Sequence, residues 1–177
     1  VVIAVVVVAG LVAVTVAWFV VQYNRLAALA NAVDASWGDI DTQLQQRHDL
    51  VPNLVAITKA YAAHERAVLD AVVDARNVAR GAVRPRAAAT ADDALETTLL
   101  RVFALSEAYP ELKANQSFVD LQRRLAGAED AIAGIRQRYN AAVQDLNTTR
   151  ELFPINLVAR MTPRFAAREY FTVTNGA

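Results

Sequence analysis

The apolar run at the start of the chain constrains its fold more than any other feature. Val1 to Val21 carries no charge, and Thr15 is its only polar side chain. At about 1.5 Å of rise per residue, a run of this length reaches about 30 Å as a helix, the thickness of a bilayer's hydrocarbon core. Trp18 and Tyr23 stand at one end, where amphipathic rings favour the headgroup layer, and Asn24 and Arg25 close the run. A cleavable signal peptide would have a shorter apolar core followed by small residues, and Trp18-Phe19-Val20-Val21-Gln22 is a poor cleavage context. A buried helix of a soluble protein is also disfavoured, because nothing downstream is apolar enough to enclose a surface made mostly of valine. Residues 1–22 are therefore expected to form one membrane-spanning helix. Since the chain opens on Val, a few further residues are expected ahead of it.

From Gln22 onward the chain reads as a water-soluble protein rich in Ala, Arg and Asp. Its 18 basic and 18 acidic side chains cancel, so no overall basicity points to nucleic acid. The absence of cysteine excludes disulfides, thiol nucleophiles and thiolate metal sites.

Four stretches follow with apolar residues at alternating three- and four-residue steps, the period of helices packing on helices. The first, Tyr23 to Val51, presents Leu26, Ala30, Val33, Trp37, Ile40, Leu44 and Val51, a seam broken only by Arg47. It is expected to continue the membrane helix and to end at Pro52, since proline disfavours helical geometry in the residue before it. The second starts near Pro52 with Leu54, Ile57, Tyr61, His64, Val68, Ala71, Ala75 and Val78, and closes at Gly81. Residues 81–90 read as a linker. The third covers about Asp92 to Tyr109, with Thr90 as a cap and Asp92 and Asp93 at the positive end of its dipole. The fourth, Ser117 to Phe153, carries Phe118, Leu121, Leu125, Ala128, Ile132, Ile135, Tyr139, Ala142 and Leu146, with Ser117 as its cap. Its length is expected to leave apolar surface for another subunit. The fold expected is all-α: an N-terminal transmembrane helix continuing into an antiparallel up-and-down four-helix bundle over 23–153, then a basic and aromatic tail over 154–177.

If those helices alternate in direction, the linker and the end of the fourth helix both lie beside the bilayer. Arg80, Arg84, Arg86, Arg160, Arg164 and Arg168 then become candidate lipid-headgroup contacts, each worth about 1 kcal/mol against anionic lipid. Such a basic base favours a cytoplasmic placement of the domain in a single-pass membrane protein. The plainer reading is that linkers and tails tolerate arginine. The tail itself, with Phe165, Tyr170 and Phe171 among its arginines, suits an interfacial segment, docking on a neighbouring subunit, or ordinary packing on its own bundle. At the opposite end, Arg47, His48, Asp49 and Asn53 crowd the first turn, and Glu111, Lys113 and Asn115 are expected beside them. Together they are a candidate recognition surface. The structural alternative makes Asp49 and Asn53 caps of the second helix and Arg47 a tie between turns.

Several runs resemble the LemA family. They are Tyr23-Asn24-x-Leu26, Trp37 with Ile40-Asp41 and Gln43, and Arg47-His48-Asp49-Leu50-Val51-Pro52-Asn53-Leu54-Val55. Further on come His64-Glu65, Ala75-Arg76, Glu107-Ala108-Tyr109-Pro110-Glu111-Leu112-Lys113-Ala114-Asn115, Arg138-Tyr139-Asn140 and Phe153-Pro154-x-Asn156-Leu157. The resemblance extends from Tyr23 to about Ala159. It implies a bacterial membrane protein with an N-terminal anchor and a helical bundle, and carries no catalytic mechanism with it. Some relatives replace the membrane helix with a lipoprotein signal, which opposes a cytoplasmic placement.

No catalytic, cofactor or metal site is expected. His64 and Glu65 are adjacent and point about 100° apart on a helix, no second histidine stands at helical spacing, and His64 falls on the apolar seam as a core histidine. Ser36, Ser106 and Ser117 lie in no nucleophile elbow, and the six glycines form no phosphate loop. The function expected is a non-catalytic scaffold that self-associates into a homo-oligomer at the membrane. The small residues Ala4, Ala9, Gly10, Ala13 and Ala17 permit close contacts between anchors. An accessory or signalling adaptor for another membrane protein, such as a protease, is the alternative.

Overall fold

The computed structural model of the chain describes residues 1–173; the last four residues of the tail expected over 154–177 lie outside the described residues. Every regular element among the described residues is helical. The longest, α1, runs from Val2 to Tyr61 without interruption, so Pro52 does not end it. Proline has no N–H, and inside a helix it orphans the carbonyl four residues back, here that of His48. That carbonyl accepts instead from Arg76 Nε at 2.7 Å. A donor from a neighbouring helix replaces the missing bond, and the helix passes through.

The first break falls at residues 62–65, where the Glu65 N–H bonds the Ala62 carbonyl at 3.1 Å. Helix α2 follows over Arg66–Gly81. Of the seam expected here, Leu54 is buried and Ile57, Val68 and Ala75 pack partly buried against the core, while Tyr61, His64 and Val78 are exposed, because the non-helical corner resets rotational phase between α1 and α2. Leu69, Val72 and Ala79 are buried, and His64 is a turn residue and not a core histidine. Helix α3 spans Pro85–Leu105 with proline in its first turn, so the linker shrinks to residues 82–84. Thr90 lies within α3 with its hydroxyl on the Arg86 carbonyl, and Asp92 is buried rather than placed at the helix start. A single 3-10 turn, Ser106–Ala108, and the one-turn α4, Pro110–Lys113, lead to α5 over Gln116–Thr149. Its cap is Asn115, whose Oδ1 accepts from the Phe118 N–H at 3.1 Å, and not Ser117. Helix α6 spans Ile155–Met161.

The chain forms two compact units, and both α1 and α5 contribute to each. One comprises Val1–Ser36 with Ala141–Arg168. Its buried side chains include Leu26, Ala30, Val33, Val143, Leu146, Ile155, Val158 and Phe165, and the Phe165 ring meets Tyr23 edge-on at 5.2 Å. Asn147 brackets the backbone of Arg168 with both ends of its amide, at 3.0 Å each, and Arg150 Nε donates to the Phe165 carbonyl at 2.8 Å.

The other unit comprises Trp37–Asn140 with the described residues from Glu169 onward. Leu50, Val51 and Leu54 of α1, Val72 of α2, Leu95, Leu99 and Val102 of α3, and Phe118, Leu121 and Leu125 of α5 share one core with Leu112. Asn140 brackets Phe171 as Asn147 brackets Arg168, at 2.9 and 3.2 Å, and Tyr139 Oη donates to the Glu169 carbonyl at 2.8 Å. Trp37 packs near both Tyr139 and Phe171, at ring separations of 5.7 and 6.2 Å. Residues 165–171 thus pack on α5 of their own chain. The apolar seam of α5 is buried almost throughout, and none of its large apolar side chains is exposed, so the surplus surface expected of the longest downstream helix is absent.

Candidate functional site

Arg47 interrupts the buried stripe of α1, and the structure shows what answers it. Its Nη1 lies 3.0 Å from Asp92 Oδ2 of α3 and 2.5 Å from Glu129 Oε2 of α5. Arg47 and Asp92 are buried, at 2% and 6% exposure. One guanidinium therefore serves two carboxylates, with Glu96 and Asp93 nearby. Burial pushes the Asp92 carboxyl up to about 6; Arg47 opposes that rise, while Glu129, Glu96 and Asp93 add like charge that reinforces it. Glu96 is also raised, by burial first and then by the charge of Glu129, with Asp93 adding to the rise and Arg47 and Arg136 opposing it.

On the adjacent face of α1, His48 is also buried, and its Nε2 has no hydrogen-bond partner among the described residues. Burial, then the charges of Arg47, Arg76 and Arg80, lower its pKa to about 4, so the imidazole is neutral at physiological pH. It lines a cleft of about 270 Å³ with Asp41, Gln45, Asp49 and Arg80. A second cleft of about 280 Å³ opens beside Arg47, Glu96 and Glu129, walled by Leu99, Leu100, Phe103 and Leu125. No group of three or more metal-ligating side chains forms among the described residues. The arrangement is a buried ionic tie joining α1, α3 and α5, with Arg76 adding α2 through the His48 carbonyl.

The residues expected to share a recognition surface separate. Arg47 and His48 are interior, and Asp49 and Asn53 are exposed within α1, where neither caps a helix start. Glu111, Lys113 and Asn115 belong to a different corner, beside the true α1–α2 turn. There Tyr109 Oη donates to Glu65 Oε1 at 3.2 Å, Asn115 Nδ2 to Tyr61 Oη at 3.1 Å, and Lys113 pairs with Glu107 at 2.6 Å. The arginines divide as well. Arg80 lines the His48 cleft, Arg84 stands 4.0 Å from Glu169, and Arg86 is an exposed residue of the first turn of α3. In the other unit, Arg164 donates to Asn31 at 2.6 Å and Arg168 pairs with Asp34 at 3.1 Å, while Arg160 is exposed.

The family model of the LemA family matches residues 36–177. The chain belongs to the LemA family. Among similar proteins are magnetosome proteins MamQ 2 and MamQ 1 of Paramagnetospirillum magneticum, each 26% identical over 88% of this chain and 66% of the relative. Magnetosome protein MamQ of Magnetospirillum gryphiswaldense is 24% identical over 85% of this chain and 64% of its own length. The chain thus spans just under two thirds of the length of these relatives.

The LemA-type motifs acquire structural roles. Arg47-His48 and Ala75-Arg76 meet around Pro52, Glu65 meets Tyr109, Asn115 caps α5, and Tyr139-Asn140 hold the tail. Sequence reading missed Asp92 and Glu129 as partners of Arg47. The available signal was phase: Asp92 lies three residues before Leu95, and Glu129 three before Ile132, so both are charges at the edge of an apolar seam.

Proposed function

We propose that this LemA-family chain is a non-catalytic helical scaffold, anchored by the first turns of α1 in a bacterial membrane, that self-associates into a homo-oligomer and so organises or curves the bilayer. The observation that carries this reading is the state of the anchor. Residues 1–17 are exposed throughout, so no described part of the chain covers an apolar surface that length and composition suit to a membrane. The polar interior supports a structural role, since its charges pair with one another. On this reading the downstream helices form an up-and-down four-helix bundle, and Arg25 and Arg160 near the end of the span favour a cytoplasmic domain. The similarity to magnetosome proteins MamQ supports a membrane-associated, non-catalytic role.

The alternative, an adaptor for another membrane protein, is favoured by the absence of large exposed apolar side chains on α5 and by the polar corner formed by Glu65, Tyr109, Lys113 and Asn115. Cross-linking discriminates. The chain has no cysteine, so Gly10→Cys, Ala13→Cys and Ala17→Cys together report the small-residue face of the anchor. Self-association through the anchor predicts oxidative dimers in membranes at one or more of these positions. No dimer at any of them, with capture of a one-to-one membrane partner, favours the adaptor.

A further inference from the structure

The corner between α5 and α6 holds a concentration of exposed apolar side chains unlike any other after the anchor. Leu152, Phe153, Leu157 and Met161 are 49%, 81%, 53% and 72% exposed within ten residues. On α6, Ile155, Val158 and Ala159 are buried against the protein, while Leu157 and Met161, four residues apart, share an outward face. A helix apolar on opposite sides has one side that its own fold does not cover.

Its place in the unit sets the depth at which this side lies along α1. The ring of Phe165 meets Tyr23, and the carbonyl of Phe165 accepts from Arg150, so the end of α5 is level with Tyr23 of α1. One turn earlier, Asn147 brackets Arg168, which pairs with Asp34. Read along α1, α5 is therefore heading from Asp34 towards Tyr23, and the chain beyond Arg150 emerges at the end of the apolar span. There Trp18, Phe19 and Gln22 are half-buried, whereas residues 1–17 are exposed. The corner thus sits at the depth of the span's aromatic end, the level of a headgroup layer. Arg160, exposed and without a hydrogen-bond or ion-pair partner among the described residues, suits a lipid phosphate there.

We propose that the α5–α6 corner is a second membrane contact, with Leu152, Phe153, Leu157 and Met161 sunk into the headgroup–acyl boundary of the leaflet from which α1 emerges. This rests on α1 crossing the membrane, and it makes attachment two-point: a span and an interfacial foot held to it through Phe165 and Tyr23.

The test uses the full chain in vesicles of phosphatidylcholine and phosphatidylglycerol. A polarity-sensitive fluorophore is attached through Leu157→Cys or Met161→Cys, with Val8→Cys in the span and Asp130→Cys on the exposed face of α5 as references. Lipids carrying a nitroxide near the headgroup end of the acyl chain, or near its middle, serve as quenchers. The expected result is blue-shifted emission at 157 and 161, quenched by the shallow nitroxide more than by the deep one, with Val8 quenched by the deep nitroxide and Asp130 by neither. If Val8 is quenched while 157 and 161 behave like Asp130, the foot is wrong and the anchor stands. Blue-shifted emission at 157 that neither nitroxide quenches means another protein copy covers the corner, which also overturns the proposal. An unquenched Val8 label overturns anchor and foot together.

Discussion

At the scale of single residues, the interior is governed by two groups displaced in opposite directions. Asp92, raised to about 6, stabilises the fold fully below the ordinary carboxylate range, and that contribution is lost as pH rises through its folded value. His48, lowered to about 4 from 6.5, stabilises the fold above its ordinary value, and that contribution is lost as pH falls through its folded value. Between about pH 4, the folded value of His48, and about 6, that of Asp92, the two slopes oppose. Asp92→Asn leaves the His48 slope alone, so the melting temperature should fall more steeply on acidification than in the parent. His48→Gln leaves the Asp92 slope and should flatten or reverse that fall. Scanning fluorimetry of the full chain in detergent checks both, and identical slopes in all three proteins contradict the assignment. Arg47→Met strands a buried carboxylate and should destabilise by about 3–5 kcal/mol at neutral pH, with a smaller loss below pH 6 where Asp92 is protonated.

At the scale of elements, the continuity of α1 through Pro52 depends on Arg76. Removing a charged donor from the buried His48 carbonyl by Arg76→Ala should cost about 1.5–3 kcal/mol. Pro52→Ala restores an N–H to that carbonyl, so the same Arg76 change should cost markedly less in that background; a double-mutant cycle by denaturant unfolding reads the coupling. Asn115→Ala should cost about 1 kcal/mol through the lost cap of α5, while Ser117→Ala should be near neutral, a comparison the same unfolding assay makes. These elements also show what the sequence made legible. The stripes of α1, up to Val51, and of α5 were readable because one uninterrupted helix keeps one phase. The corner at 62–65 was hidden because Pro52 is the stronger local signal, and its remedy lies 24 residues away in Arg76. The Arg47 tie was half-legible: a charge on an apolar stripe announces a partner, but the partners lie 45 and 82 residues distant.

For the whole molecule, residues 1–17 have no described cover and the α5–α6 corner has an uncovered outer face, while α5 exposes no large apolar side chain. Val73, Val78, Val83 and Leu100 aside, the large apolar surface left exposed is concentrated at residues 1–21 and at the α5–α6 corner, so the proposed self-association would fall at the membrane. Mass photometry of the full chain in mild detergent, beside a chain beginning at Tyr23, tests this most directly. The scaffold predicts a discrete large assembly for the full chain and a smaller species for the shortened one. Monomers in both cases would contradict self-association and turn attention to a membrane partner.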